Sequence, residues 1–340
     1  MVSQFRLESM HLVYEGMFKR FLEAQISWDG PLKLNAATMR QISAILLEMK
    51  LTCPVDFNRK PQVLEKWHKY KATEFRRLLL YDGMVVFKNN LHPSIYLQFL
   101  LLQCAIYILA SKYLLSIFCD EAEVFLDRLV DHCVEVFGEH FVSYNVHSLK
   151  HLANECRSHG PLDSFSAFPY ENFLKDIKNT LRSGYQPLHQ LAKRDSERIE
   201  KKEVVMENQD NTVELFHAHY DPFEKVLGEQ YKKICINKVV LKIGQKDSCF
   251  MTNKGVVVVL ENIVQRDKNS IVLTGKKFNN QDDFYTFPLK SSCLGIFKVW
   301  NKNDLRENFQ VENIFAKCWL MRHDNIFVAV PLVHTTPLLH

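Results

Sequence analysis

The apolar residues of this 340-residue chain change their spacing once along the sequence. From residue 10 to about residue 191 they recur every three or four residues, as at Ile42, Leu46 and Met49, which is the repeat of an amphipathic helix. After residue 239 the pattern changes to short runs of β-branched and aromatic residues. The change predicts an α+β protein, in which a mainly α-helical N-terminal region precedes a small all-β, barrel-like domain.

A polar and densely charged segment separates the two patterns. Residues 191–211 read LAKRDSERIEKKEVVMENQDN, and few of these side chains are suited to a core. We therefore predict a mainly helical region at 1–192, a charged connector at 193–235 and a β-rich domain at 236–340.

The β-rich domain is predicted from seven short runs separated by turn signals. Turns with the composition of hairpins lie at 252–255, 266–269 and 322–325. The predicted strands are 239–243, 256–259, 270–274, 284–287, 296–300, 316–321 and 326–331.

Composition narrows the class of protein without identifying it. A net charge of +4 neither requires nor excludes a nucleic-acid partner. Nine cysteines without any CxxC spacing indicate reduced thiols in an intracellular protein, and the N-terminus has no secretory signal pattern. The most apolar run, 95–118, includes Gln98, Gln103 and Lys112, so we expect a buried helix pair and no membrane span. No Gly-rich phosphate loop or nucleotide fingerprint is present, so no nucleotide cofactor is expected.

Four segments, in this order, carry a resemblance to a known family. They read ESMHLVYEGM at 8–17, YKATEFRRLLL at 70–80, YNVHSLKHL at 144–152 and GPLDSFSAFPYENFL at 160–174. Together they resemble transposases of the EnSpm/CACTA type, including domesticated or truncated copies. The resemblance implies an RNase H-like core with a helical insertion and a C-terminal β module, and a role in DNA transposition.

The resemblance also implies a chemistry and its residues. RNase H-like nucleases gather carboxylates around two divalent metals, Mg or Mn, which activate a nucleophile and stabilise the leaving oxygen. Glu171 matches the late acidic residue of the family, and His11 matches the histidine of its Asp-x-x-His signature. Glu8 stands at the aspartate position of that signature, where the longer side chain displaces the carboxylate.

Each of these residues also has a structural interpretation. Glu171 follows Pro169 at the predicted start of a helix, where the helix dipole favours an acid. His11 is interpreted first as a hydrogen-bonding residue within the helical region. His147 and His151 share a helix face, but no acid or cysteine lies near them in sequence, so we expect no metal site there. Glu74 is interpreted as a partner in an ion pair within its helix.

Basic residues near these motifs suit phosphate contacts, and a solvated helix face is the alternative for each cluster. The candidates for DNA binding are Lys71, Arg76, Arg77, Lys175, Lys178 and Arg182.

The segment before Glu8 is too short for the strands that carry the first carboxylate of an RNase H-like core. We therefore expect a catalytically incomplete, transposase-derived protein that binds DNA or protein in the nucleus. One alternative is a metal-dependent transposase or nuclease completed by upstream sequence or by another chain. Another is an interaction scaffold using the β domain.

The scaffold alternative depends on aromatic residues of the β domain. Tyr285, Phe287 and Trp300, beside Lys276, Lys277 and Lys290, would suit stacking with bases and contacts to phosphates. At strand spacing, however, these aromatic residues are more typical of a core.

Overall fold

The computed structural model describes residues 6–202, 213–267 and 270–338, and it has the predicted α+β architecture. The first helix starts as a π-helical segment, Met10–Phe18, and continues as α1, Lys19–Ile26. The helices that follow are α2 (Ala36–Thr52), α3 (Ala72–Arg77), α4 (Gly83–Phe87), α5 (Pro93–Ala110), α6 (Lys112–Phe137), α7 (Tyr144–Ser148), α8 (Leu152–His159), α9 (Phe168–Thr180) and α10 (Pro187–Lys202). Short 3₁₀ or π segments lie at Leu64–Lys69, Leu78–Asp82, Glu139–Phe141, Leu149–His151 and Leu162–Phe165.

Local sequence explains where the longer helices begin. The Asn35 side chain accepts a hydrogen bond from the Thr38 N–H at 2.9 Å and caps α2. Pro93 occupies the start of α5, where its missing N–H is tolerated. Ser111 ends α5 and accepts the N–H of Leu114 at 3.3 Å, so it separates α5 from α6.

Helix α5 is the centre of the helical region. It is long and apolar enough to span a membrane, but 78% of it is buried inside the protein. The following helix, α6, packs against it. The apolar run at 95–118 therefore supplies two helices of a protein core, as the sequence predicts.

The β domain consists of antiparallel strands. They are β1 (Val213–His219), β2 (Glu229–Ile236), β3 (Val239–Lys242), β4 (Cys249–Thr252), β5 (Val257–Asp267), β6 (Ser270–Asp283), β7 (Phe297–Lys302), β8 (Glu307–Gln310), β9 (Ile314–His323) and β10 (Ile326–Pro331). The pairing β5–β4–β9–β10–β7–β6 returns from β6 to β5, which closes a six-stranded ring. Strand β2 extends this ring from β5 and pairs with β1 and β3, while β8 pairs with β6.

The ring encloses a small apolar core. Each of its six strands contributes one or more side chains to this cluster. They include Cys249, Val257, Phe278, Val299, Cys318 and Ala329. The barrel-like domain predicted from the sequence is therefore a closed ring of strands with a filled interior.

The predicted organisation differs from the structure in several details. Strand β1 and all of β2 except Ile236 lie within 193–235, which the sequence assigned to a charged connector; their charged residues hid the alternation. Strands β4 and β8 have no counterpart among the predicted runs. The predicted strand at 284–287 is irregular, because the Phe284 N–H binds the Ser291 hydroxyl at 2.8 Å and Tyr285 turns into the helical core. Part of the turn predicted at 266–269 lies outside the described residues.

The helical region and the outer face of the ring share one apolar core. The rings of Phe57 and Trp319 have centroids 5.4 Å apart, and Trp319 has no exposed surface. The Tyr107 hydroxyl donates to the carbonyl oxygen of Pro331 at 2.6 Å. The two regions therefore pack against each other as one unit and are not independent domains joined by a linker.

A buried lysine fixes the junction. Lys317 of β9 is 0% exposed, and its Nζ lies 2.6 Å from Asp56 and 2.7 Å from Asp247. Asp247 also accepts the Val55 N–H at 3.0 Å, and His334 Nε2 lies 3.2 Å from Asp56. Burial by itself raises the pKa of Asp56, but the hydrogen bonds and charges of His334 and Lys317 hold it well below its usual range.

Because of this ion cluster, we expect the free energy of unfolding to fall at acid pH. Because the Asp56 pKa is lower in the folded than in the unfolded protein, its contribution is present above about pH 4 and is lost as pH falls. Lys317→Met leaves the buried carboxylate of Asp247 and the largely buried carboxylate of Asp56 without their cation, and it is expected to lower the free energy of unfolding by about 3 to 5 kcal/mol at pH 7.

Urea denaturation at pH 7 and at acid pH measures both effects. Lys298→Met is the matched control, because Lys298 forms a surface pair with Asp282 at 3.0 Å, and it is expected to cost less than about 1 kcal/mol. A Lys317→Met protein as stable as the control would contradict this account of the junction.

Candidate functional site

Glu8 lies at the N-terminal end of the first helical segment and folds back onto it. Its Oε2 accepts the N–H of Met10 at 2.8 Å, and its Oε1 accepts the N–H of His11 at 2.7 Å. These N–H groups have no carbonyl partner in a preceding helical turn, so the carboxylate acts as a cap.

The same carboxylate joins the first helix to α9. The Ala167 N–H, directly before α9, donates to Glu8 Oε2 at 3.0 Å, although the two residues are 159 positions apart. The motif at 8–17 and the motif at 160–174 are therefore neighbours in the structure.

His11 bridges the two candidate acids. Its Nδ1 lies 2.5 Å from Glu8 Oε1, and its Nε2 lies 3.5 Å from Glu171 Oε1. The side chains of His11 and Glu171 are 58% and 54% exposed, whereas Glu8 is 16% exposed. The three residues named from the sequence thus form one cluster at the protein surface. The Glu8 contact also agrees with the simpler interpretation of His11 as a residue that hydrogen-bonds within the helical region.

The cluster does not fit a divalent metal in this arrangement. Hard cations need several carboxylate or carbonyl oxygens with open lone pairs. Both oxygens of Glu8 already accept two N–H groups each, counting the ring of His11. Across residues 6–202, 213–267 and 270–338, no group of three or more His, Cys, Asp and Glu side chains is placed to hold a metal ion.

A cleft of about 340 Å³, lined by polar and apolar side chains, lies beside this cluster and shares the segment that starts α9. Its lining includes Asp56, Arg59, Arg76, Arg77, Asp163 and Phe168. Within the cleft, Arg76 donates to Asp163 at 2.7 Å. Behind it, Arg77 Nε donates to Asp82 at 3.0 Å, and burial raises the pKa of Asp82, an effect that the Arg77 charge opposes. The arginines of the cleft thus have carboxylate neighbours.

The basic residues named from the sequence differ in their exposure to solvent. Arg77 is 1% exposed, so its guanidinium presents no donors to a phosphate at the surface. Arg76 is 25% exposed and is held by Asp163, whereas Lys71 is exposed. The other three, Lys175, Lys178 and Arg182, are exposed on α9 or directly after it.

Other residues singled out from the sequence have structural partners. His147 and His151 are exposed, and their ring centroids lie 5.5 Å apart in an edge-to-face arrangement. Glu74 is 3% exposed and accepts the Lys71 N–H at 3.0 Å, so it caps α3 and the predicted ion pair within the helix is wrong. Gln62 also donates to Glu74, at 2.5 Å.

The aromatic surface proposed for the β domain is not formed as a unit. Tyr285 is 7% exposed, and its hydroxyl donates to Gln103 Oε1 at 3.0 Å within the helical core. Phe287 is 42% exposed, and Trp300 is half-buried. Two of the lysines are paired with acids: Lys276 with Glu261 at 3.4 Å and Lys277 with Glu307 at 2.8 Å. Lys290 is exposed.

Sequence reasoning did not identify the long-range contact of Glu8 or the buried Lys317. Lys317 carries a usable signal, because it is a cation inside the apolar run 314–321 of a predicted strand. The Glu8 contact has no comparable signal, since its partner is a backbone N–H group and any residue except proline supplies one.

Comparison with known proteins concerns the β domain alone. Residues 217–332 match a family model described as a domain of unknown function, DUF8592. No curated protein and no solved structure matches the chain. The matched range runs from the end of β1 to just beyond β10, so Glu8, His11 and Glu171 lie outside it.

The cluster predicts different costs for its two acids. Glu8→Ala removes the acceptor of three backbone N–H groups and is expected to destabilise the protein by about 2 kcal/mol. Glu171→Ala removes a half-exposed contact with His11 and is expected to cost less than about 0.5 kcal/mol. Chemical denaturation of both variants measures the difference. Equal costs would contradict a capping role for Glu8.

Proposed function

We propose that this chain is a transposase-derived protein that binds DNA in the nucleus without cutting it. The observation that carries the proposal is the state of the cluster: Glu8, His11 and Glu171 come together, but the Glu8 carboxylate is used as a helix cap. The convergence supports descent from a nuclease-like site, and the capping supports the loss of its catalytic use.

The chemistry of strand cleavage supports the second part of this proposal. Two-metal catalysis needs carboxylate oxygens that bridge or bind cations near the scissile phosphate. Removing Glu8 from its N–H donors would leave the starts of two helices without a cap. A metal therefore competes with hydrogen bonds that stabilise the fold.

Helix α9 supports the DNA-binding part. It begins beside the cluster and carries Lys175 and Lys178 on the same side as Glu171, at spacings of four and three residues. Arg182 follows the end of the helix. All three cations are exposed, so their charged ends are available to a phosphate backbone.

The DNA-binding proposal predicts a salt-dependent affinity that α9 controls. Lys175→Gln with Arg182→Gln is expected to weaken binding to duplex DNA about tenfold and to lower the slope of log K against log salt by about two. Fluorescence anisotropy of a labelled duplex over a series of salt concentrations measures both quantities.

The matched control removes two exposed cations of α2, Arg40→Gln with Lys50→Gln, and is expected to change neither quantity by more than about a third of that effect. A wild-type protein without salt-dependent DNA binding would overturn the proposal. An equal loss in both double variants would leave only non-specific charge attraction.

The enzyme alternative predicts the opposite result in a cleavage experiment. We expect no Mg²⁺- or Mn²⁺-dependent nicking of a supercoiled plasmid by the wild-type chain, because Glu8 is held by N–H donors. Gel electrophoresis of the plasmid measures nicking. Metal-dependent nicking by the wild type that Glu171→Gln abolishes would favour the alternative of a completed nuclease.

A further inference from the structure

Helix α9 leaves apolar side chains in solvent. None of its 13 residues is buried. Tyr170, Phe173 and Leu174 are 72%, 53% and 61% exposed. An exposed apolar patch of this kind marks an interaction surface more often than an isolated exposed residue does.

The spacing of these residues makes a continuous row. Tyr170, Leu174, Ile177 and Leu181 follow one another at intervals of four, three and four residues, and Phe173 lies beside them. This is the spacing of a helix face that packs against another helix. Towards the C-terminal end of the row, Ile177 and Leu181 are half-buried, and α10 is in contact with α9.

Hydrogen bonds from α10 hold the turn that follows the row. The side chain of Gln190 in α10 accepts the Arg182 N–H at 2.9 Å and donates to the carbonyl oxygen of Tyr185 at 2.5 Å. Two further exposed apolar side chains lie nearby, Tyr185 in the turn at 75% and Leu188 at the start of α10 at 79%. The helices α9 and α10 thus form an ordered hairpin with apolar groups at its surface.

Charges beside the row indicate what covers it. Glu171 and Lys178 are seven residues apart, so they flank the row on the same side, one towards each end of α9. When two identical helices pack antiparallel, corresponding flanks face each other in reversed order. With a two-fold axis between Leu174 and Lys175, Glu171 of each copy faces Lys178 of the other. Lys175 lies between these two residues along α9 but about 40° further from the row than Glu171, so it is not one of the charges nearest the row. The two charges nearest the row are therefore complementary to those of a second copy.

We propose that α9 is a homodimerisation helix, which pairs antiparallel with α9 of a second copy through Tyr170, Phe173 and Leu174 and through two Glu171–Lys178 ion pairs. His11 lies 3.5 Å from Glu171 and 58% of it is exposed, so it stands at the edge of this surface without covering it. One helix pair is a small interface, and we expect a reversible dimer with a dissociation constant on the order of 10 µM.

Charge exchange tests the pairing. Lys178→Glu places a second carboxylate opposite Glu171 of the other copy and is expected to weaken dimerisation about tenfold or more. Glu171→Lys is expected to weaken it similarly, because it places two ammonium groups opposite each other. The double variant Glu171→Lys with Lys178→Glu restores opposite charges and is expected to recover the wild-type constant within about threefold. Sedimentation equilibrium over a concentration series measures each constant.

A substitution within the apolar row tests the row itself. Leu174→Glu places two carboxylates at the two-fold axis and is expected to abolish the dimer. Leu51→Glu is its control, since Leu51 of α2 is 65% exposed, and it is expected to leave the dissociation constant unchanged. A wild-type protein that stays monomeric up to about 100 µM overturns the proposal. A double charge variant that dimerises no better than the single variants also overturns it.

Discussion

One buried ammonium group determines how the two halves of this protein fit together. Lys317 is fully buried, and a buried cation is tolerated when carboxylates at short distance replace its water. Asp56 comes from the helical region and Asp247 from the β domain, so the two halves must meet in one register to supply both. The apolar core around Trp319 is continuous across this junction, and Asp56 also lines the cleft beside α9.

The α+β class followed from the sequence because apolar periodicity is a local property. The strands β1 and β2 did not follow, since their charged residues resemble a connector until the pairing of β1 with β2 and of β2 with β5 is known. Likewise, the segment after β6 has strand composition but leaves the sheet, because Tyr285 finds a partner in Gln103 of the helical core. Such contacts between distant residues override local preference.

The candidate site, too, could be predicted in part, because its residues followed from the sequence but their contacts did not. Motif resemblance selected Glu8, His11 and Glu171, which come from two segments far apart in the chain and lie together in the structure. The capping role of the Glu8 carboxylate was not predictable, because it depends on the position of the Ala167 backbone N–H in the folded protein. The candidate cations divided in a similar way: Arg77 became part of a buried pair with Asp82, whereas the cations of α9 stayed in solvent. The sequence thus identified the residues of the cluster, whereas their contacts depend on the folded structure.

The shared core has a consequence for fragments of this chain. Cleavage in the charged segment before β1 would leave two fragments, each with an uncovered apolar surface: one around α5 and one around Trp319. Exposed surfaces of this kind cause aggregation and attract chaperones and proteases. The helical and β halves therefore depend on each other for solubility, and either half alone is expected to aggregate or to be degraded.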